Sequence, residues 1–176
     1  DAADGTTDGQ IDLGNVGAAS MSYRFALEHT EFGTRYVLSS AGDIDNDGNA
    51  DLLIGATRAF IDGVGDHRDG AYLINANDLA ALDAADGVTD GVIELANVAA
   101  AASSYKIVGN HESNFGGISV SSAGDIDGDG KDDFLIGMRF EDISPTVTSV
   151  GSAYLINAND LAALDAADGV TDGVIS

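Results

Sequence analysis

Apolar and polar residues alternate along YRFALEH from Tyr23 to His29, the period-two pattern of a strand with one buried face. Two short, unbroken apolar runs follow, DLLIGA from Asp51 and AYLIN from Ala71, and these suit strands covered on both faces. With the segment from Phe32 to Ser40, they make four strands. The same order returns from Tyr105 onward as YKIVG, FGGISVSS, DFLIGM and AYLIN. The pattern predicts an all-β chain of two four-stranded sheets, with the alternating strand outermost in each. Between the sheets, NDLAALDAADG predicts a short helix with Asn77 or Asp78 at its N-cap, Leu79 and Leu82 on one face, and Gly87 as its end.

Repetition sets the domain organisation more firmly than length does. DAADGTTDG begins at Asp1, and DAADGVTDG begins at Asp83 and again at Asp165, a period of 82 residues. The expected units are residues 1–82, residues 83–164 and the start of a third repeat over residues 165–176. Ala71–Ile93 and Ala153–Ile175 are identical over 23 positions, surface positions included, which points to recent duplication. Because the chain starts and stops at one phase of the repeat, it is expected to be a portion of a longer array. The copies differ most in RAFIDGVGDHRDG from Arg58 and RFEDISPTVTSVG from Arg139, loops that either tolerate drift or contact a partner.

Charge narrows the partners. Thirty Asp and Glu against seven Lys and Arg give a formal charge of -23 in 176 residues, a field that repels nucleic acid and anionic membrane surfaces and attracts cations. No run approaches the roughly 18 apolar residues of a membrane helix. Neither nucleic-acid binding nor membrane insertion is expected. With no cysteine in the chain, disulfides and thiolate metal sites are excluded.

The cation has an evident place to go. SSAGDIDNDGNADLLIG from Ser39 returns as SSAGDIDGDGKDDFLIG from Ser121. In the first loop Asp43, Asp45, Asp47 and Asp51 can converge because Gly48 lets the backbone turn back, with the Asn49 carbonyl facing inward. The second loop offers Asp125, Asp127, Asp129 and Asp133, with Gly130 at the turn and the Lys131 carbonyl inward. Such hard oxygens suit Ca²⁺, about one ion per repeat. Four converging carboxylates without a cation would repel; the bland alternative is a solvated Asp-Gly turn that caps its own backbone. An EF-hand would need Glu at the twelfth loop position, where Ile54 and Ile136 stand instead. Between copies Asn46 becomes Gly128, Asn49 becomes Lys131, Ala50 becomes Asp132 and Leu52 becomes Phe134, all outside the side-chain ligand set.

FGGISVSSAGDIDGDGKDDFLIGM resembles the FG-GAP repeat of the integrin alpha-subunit β-propeller, and Phe32 with Gly33 opens the first copy. The resemblance implies that each repeat is a propeller-type blade whose Asp loop, between the blade's first two strands, binds Ca²⁺ through the positions named above. It also implies a binding or structural role with no chemistry of its own. The repeat here is longer than an integrin blade, and the spacing from Phe-Gly to the loop differs by one residue between copies. Two blades cannot close a ring, since propellers use about four to eight. Further repeats of the chain, or self-association at open sheet edges, are therefore expected.

The expected role is that of a calcium-binding extracellular or cell-surface repeat protein, structural, adhesive or fibre-forming, with calcium stiffening each blade loop. The alternative is a lectin-like or protein-binding module that recognises a glycan or a cell-surface protein through its loops, with Tyr36, Phe60, His67 or Phe140 against a sugar. A third reading is a noncatalytic appendage of a secreted enzyme. Asp83, Asp86 and Asp90, repeated as Asp165, Asp168 and Asp172, read as exposed turn acids rather than a second cation site. His29, His67 and His111 form no zinc-type cluster. DGDGKDD lacks the spacing of a phosphate loop, and Ser39, Ser40, Ser121 and Ser122 lack a nucleophile elbow, so no enzyme activity is expected.

Overall fold

The computed structural model describes residues 13–18, 21–26, 35–59, 68–112, 118–142, 146 and 150–176. Strands dominate: β1 (Arg24–Ala26), β2 (Arg35–Gly42), β3 (Asp51–Ala59), β4 (Arg68–Ile74), β5 (Val92–Glu94), β6 (Tyr105–Glu112), β7 (Ile118–Gly124), β8 (Asp133–Met138), β9 (Ser152–Ile156) and β10 (Val174–Ile175). Two five-residue helices, α1 (Leu79–Asp83) and α2 (Leu161–Asp165), and a few 3-10 turns connect them. The Phe-Gly pairs at Phe32 and Phe115 lie outside the described residues.

Sheet membership is offset from the sequence period by one strand. Instead of two four-stranded sheets, the described strands form a five-stranded sheet in the order β10-β6-β4-β3-β2, a three-stranded sheet β7-β8-β9 and a two-stranded pair β1-β5. β6, expected as the outer strand of the second repeat, lies antiparallel along β4 of the first, with Leu73 opposite Tyr105 and Ala71 opposite Ile107. β1 makes no pair with β2; it runs parallel to β5, with Phe25 opposite Ile93. Alternation is a local signal and carries no information about which edge a strand will join.

Period-two geometry then builds three layers. Leu53 of β3, Ala71 and Leu73 of β4 and Ile107 of β6 face the second sheet and meet Phe134 and Ile136 in one core. Their neighbours Ile54, Tyr72, Ile74 and Val108 point the other way, onto Leu82, Ile93, Leu95 and Val98, with Tyr23 and Phe25 of β1 packed alongside. At Gly55 the sheets come close: a Cβ there would stand 2.7 Å from Val37 Cγ2 and 2.9 Å from Ile118 Cγ2. Gly55→Ala is expected to push the sheets apart and cost about 1–3 kcal/mol by overpacking, read as a lower urea midpoint with an unchanged slope.

Asp78 stands at the N-cap of α1 as expected, but its side chain makes no cap, and a second N-cap lies three residues earlier. Asn75, not Asn77 or Asp78, accepts the Asn77 N–H on its side chain at 2.8 Å and starts a 3-10 turn that leads into α1. Asp78 is buried, and its Oδ2 instead accepts the Ser103 N–H at 2.9 Å and the Ser104 hydroxyl at 2.7 Å. In the second copy Gly169, at φ +92°, ends the helical run as a left-handed cap.

Candidate metal centre

Each Asp loop hangs between two antiparallel strands, and its own carboxylates hold it in shape. Asp51, the first residue of β3, is 1% exposed. Its Oδ2 accepts the Ile44 N–H at 3.0 Å and its Oδ1 the Ala76 N–H at 2.8 Å, so one carboxylate ties the loop to the segment after β4. Asp43 accepts from Asp47 N–H at 3.0 Å and Gly48 N–H at 2.8 Å; Asp45 accepts from Asp47 N–H at 3.2 Å. Asn46 and Gly48 take left-handed backbone, φ +61° and +91°, which Asn and Gly tolerate best. Oxygen atoms of Asp43, Asp45 and Asp51 come within 4.8 Å of one another. Asp47 stands outside that group, its carboxylate turned to the Asn49 N–H at 2.7 Å and to the Asn49 and Asn77 amides.

The second loop repeats the design with a different trio. Asp125 accepts from the N–H groups of Gly128, Asp129 and Gly130 at 2.7, 3.1 and 2.9 Å, and Asp127 from Asp129 N–H at 3.1 Å. Here oxygens of Asp125, Asp127 and Asp129 converge within 4.8 Å. Asp133 keeps the anchoring role of Asp51, accepting Ile126 N–H at 3.2 Å and Ala158 N–H at 3.1 Å, but is not one of the trio. Lys131 matches Asn49 in place, and its N–H donates to Asp129 Oδ1 at 2.8 Å. Three of the four side chains expected in each loop are thus brought together.

The donor set fits a hard cation. Every converging atom is a carboxylate oxygen, and a carboxylate has about four lone-pair positions, so one to three N–H contacts leave room for a metal. Burial raises the Asp51 pKa above its ordinary 3.8, opposed by the two backbone N–H groups and reinforced by the charges of Asp45 and Asp47. The exposed Asp47 is held below that value by the Asn49 N–H first, then by the side chains of Asn49 and Asn77.

Two features escaped the sequence reading. Asn75 Nδ2 donates to Asp45 Oδ2 at 2.9 Å and Asn157 Nδ2 to Asp127 Oδ2 at 2.6 Å, while the Asn77 and Asn159 amides reach Asp47 and Asp129. The INAND run, present in both copies, was the available signal. The other is Asp132, the counterpart of Ala50: its N–H donates to the Asp43 carbonyl at 2.8 Å and its Oδ2 accepts the Asp43 N–H at 3.0 Å. The two loops are therefore joined backbone to backbone. Gly42 allows the approach, since a Cβ there would fall 2.4 Å from the Asp132 Cβ.

The acids of the repeated DAADG stretch act locally. Asp83 and Asp165 are buried and accept the N–H of Gly91 and Gly173 at 2.7 and 2.8 Å, and Asp86 and Asp90 each accept the N–H two residues on. Among the described residues, metal-capable groups occur in the two Asp loops. Tyr36 points inward, its hydroxyl buried with no partner among the described residues. Phe140 is stacked under the Arg139 guanidinium, 4.7 Å from its centroid. Phe60 and His67 lie outside the described residues, as do His29 and the side chain of His111.

Fold and loops together define an all-β repeat protein with one acidic loop per repeat. The FG-GAP repeat model matches residues 30–72 and 116–156, and each match spans an Asp loop and strands around it, in agreement with the resemblance drawn from the sequence. Searches of the curated proteins and of the solved structures returned no match. No helix among the described residues is long and apolar enough to cross a membrane.

Asp132→Ala removes the acceptor for Asp43 N–H and leaves the backbone bond from Asp132 N–H to the Asp43 carbonyl as the remaining tie between the loops. It is expected to cost about 1–3 kcal/mol, measured by urea unfolding.

Proposed function

We propose that the chain is a calcium-binding FG-GAP module of an extracellular or cell-surface assembly, structural or adhesive in role, built from propeller-type blades. The observation that carries this is the convergence of three carboxylates in each Asp loop on a scaffold of N–H and Asn amide donors. Asp43, Asp45 and Asp51 would hold one ion and Asp125, Asp127 and Asp129 the other, with Asp47, Asp133 and the carbonyls of Asn49 and Lys131 as the further ligands the motif supplies. Calcium would cancel the repulsion among these groups and lock each loop to the strand behind it. The glycan-binding alternative loses Tyr36 to the interior.

Calorimetric titration of the chelator-treated chain is expected to show two calcium sites and much weaker magnesium binding. Asp45→Ala and Asp127→Ala should each remove one site and leave the other. At calcium 100 times the dissociation constant, each site should add about 2.7 kcal/mol to unfolding stability. Heat absent in both the parent chain and the single variants would sink the reading.

Acid should weaken the first site in a defined direction. Calcium needs the ionised carboxylate, and Asp51 takes its proton at a higher pH than an ordinary Asp. Affinity is expected to fall as pH drops through the raised Asp51 value. Without calcium the sign reverses: the native state binds the extra proton in the window above 3.8, so stability falls as pH rises through it. Unfolding against pH, with and without calcium, checks both slopes.

A further inference from the structure

Two identical stretches sit in unlike surroundings. Ala71–Ile93 and Ala153–Ile175 share every residue, yet Tyr72, Leu73 and Leu82 are 1%, 0% and 3% exposed while Tyr154, Leu155 and Leu164 are 38%, 54% and 37% exposed. Two things differ, a strand on the edge and a sheet or segment on the face. β6 runs along β4, placing Ile107 on one face and Val108 on the other. β9 ends its sheet with no strand on the outer edge among the described residues. Beside that edge lies a cleft of about 310 Å³ lined by Val108, Ile136, Tyr154, Leu155 and Leu164.

β1 has the converse vacancy. It occupies the same phase of the repeat as the start of β6, and both make the same parallel pairing: Arg24 N–H donates to the Gly91 carbonyl and Lys106 N–H to the Gly173 carbonyl, each at 2.8 Å. β6 spends its other edge on β4, whereas the other edge of β1 carries no strand among the described residues. Within one copy the two cannot meet. Tyr23 and Phe25 of β1 pack on the face of the first sheet opposite to the one the second sheet covers.

We propose that β1 of a second copy of this chain adds antiparallel to the free edge of β9, with Tyr23 opposite Leu155, Arg24 opposite Tyr154 and Phe25 opposite Ala153. This is the observed β4–β6 register moved by one period. It brings Arg24 next to Glu141, whose carboxylate accepts the Tyr154 hydroxyl at 2.6 Å, so opposite charges meet at the new edge. The sheet faces agree with it. Leu135 and Leu155, 41% and 54% exposed, hold the places of Leu53 and Leu73, which seat the neighbouring sheet; Leu38, 76% exposed, holds the place of Val120, which packs between the sheets. The contact is head to tail and leaves a donor strand and an acceptor edge at opposite ends of any oligomer, so it propagates into a ring or a filament. It names the contact behind the assembling role proposed above and does not depend on the metal.

Because the chain has no cysteine, single cysteines report neighbours directly. Mixing the Arg24→Cys chain with the Tyr154→Cys chain under mild oxidation is expected to give a covalent dimer, and mixing Arg24→Cys with Thr171→Cys, exposed and away from the edge, is expected to give far less. Sedimentation of the unsubstituted chain should show mass rising with concentration, and Leu155→Lys should hold it at monomer mass with unchanged circular dichroism. A chain monomeric at every concentration, or coupling equal to the Thr171→Cys control, overturns the proposal. Calorimetry on the same samples separates the two readings: calcium uptake by a permanent monomer leaves the metal reading and removes this one, and site-selective coupling without calcium uptake does the opposite.

Discussion

The β4–β6 ladder is the interaction on which the rest depends. A sheet edge exposes unpaired N–H and C=O groups, which become costly once the side chains around them are buried. β6 supplies those partners, and its Ile107 and Val108 join the clusters that bury Leu73 on one face and Tyr72 and Leu82 on the other, each leucine worth about 1.5–3 kcal/mol when fully buried. The approach to β6 is fixed by Asp78, which gathers Ser103 and Ser104, and by the Asn75 N–H on the Ser104 hydroxyl. The second sheet packs beside the first, with Ile118 and Val120 at Gly55, and Asp132 lies against Asp43.

The same economy governs the loops, where carboxylates serve as structural acceptors first. Asp51 and Asp133 are buried because they answer backbone donors from two separate segments. Asp43 and Asp125 gather the N–H groups of their own turns. A loop organised in this way holds its oxygen cluster on backbone donors, so the carboxylates answer N–H groups as well as face one another.

Much of this was legible in the residues. Short apolar runs marked β3, β4, β8 and β9, and the Asp spacing marked both loops, because each of these is a property of a few adjacent positions. Strand partnership was not legible: Leu73 and Leu155 have identical neighbours over the whole of the shared stretch and opposite exposure, so no local rule can separate them. The parallel pairing of β1 with β5 was missed for the same reason. Asp132 looked incidental because spacing within a loop says nothing about a second loop, and Asn75 was passed over because Asn77 and Asp78 offered equally good capping chemistry two and three residues later.

The one-strand offset bears on how such a chain changes length. The long identical stretches are natural sites for unequal recombination, which would insert or delete one whole period. Since the second period supplies β6 to the sheet of the first, an inserted whole period would bring its own strand for the edge of the sheet before it. Copy number is thus free to drift in the gene without any new surface having to evolve, whereas a break of any other length would separate a strand from its acceptor.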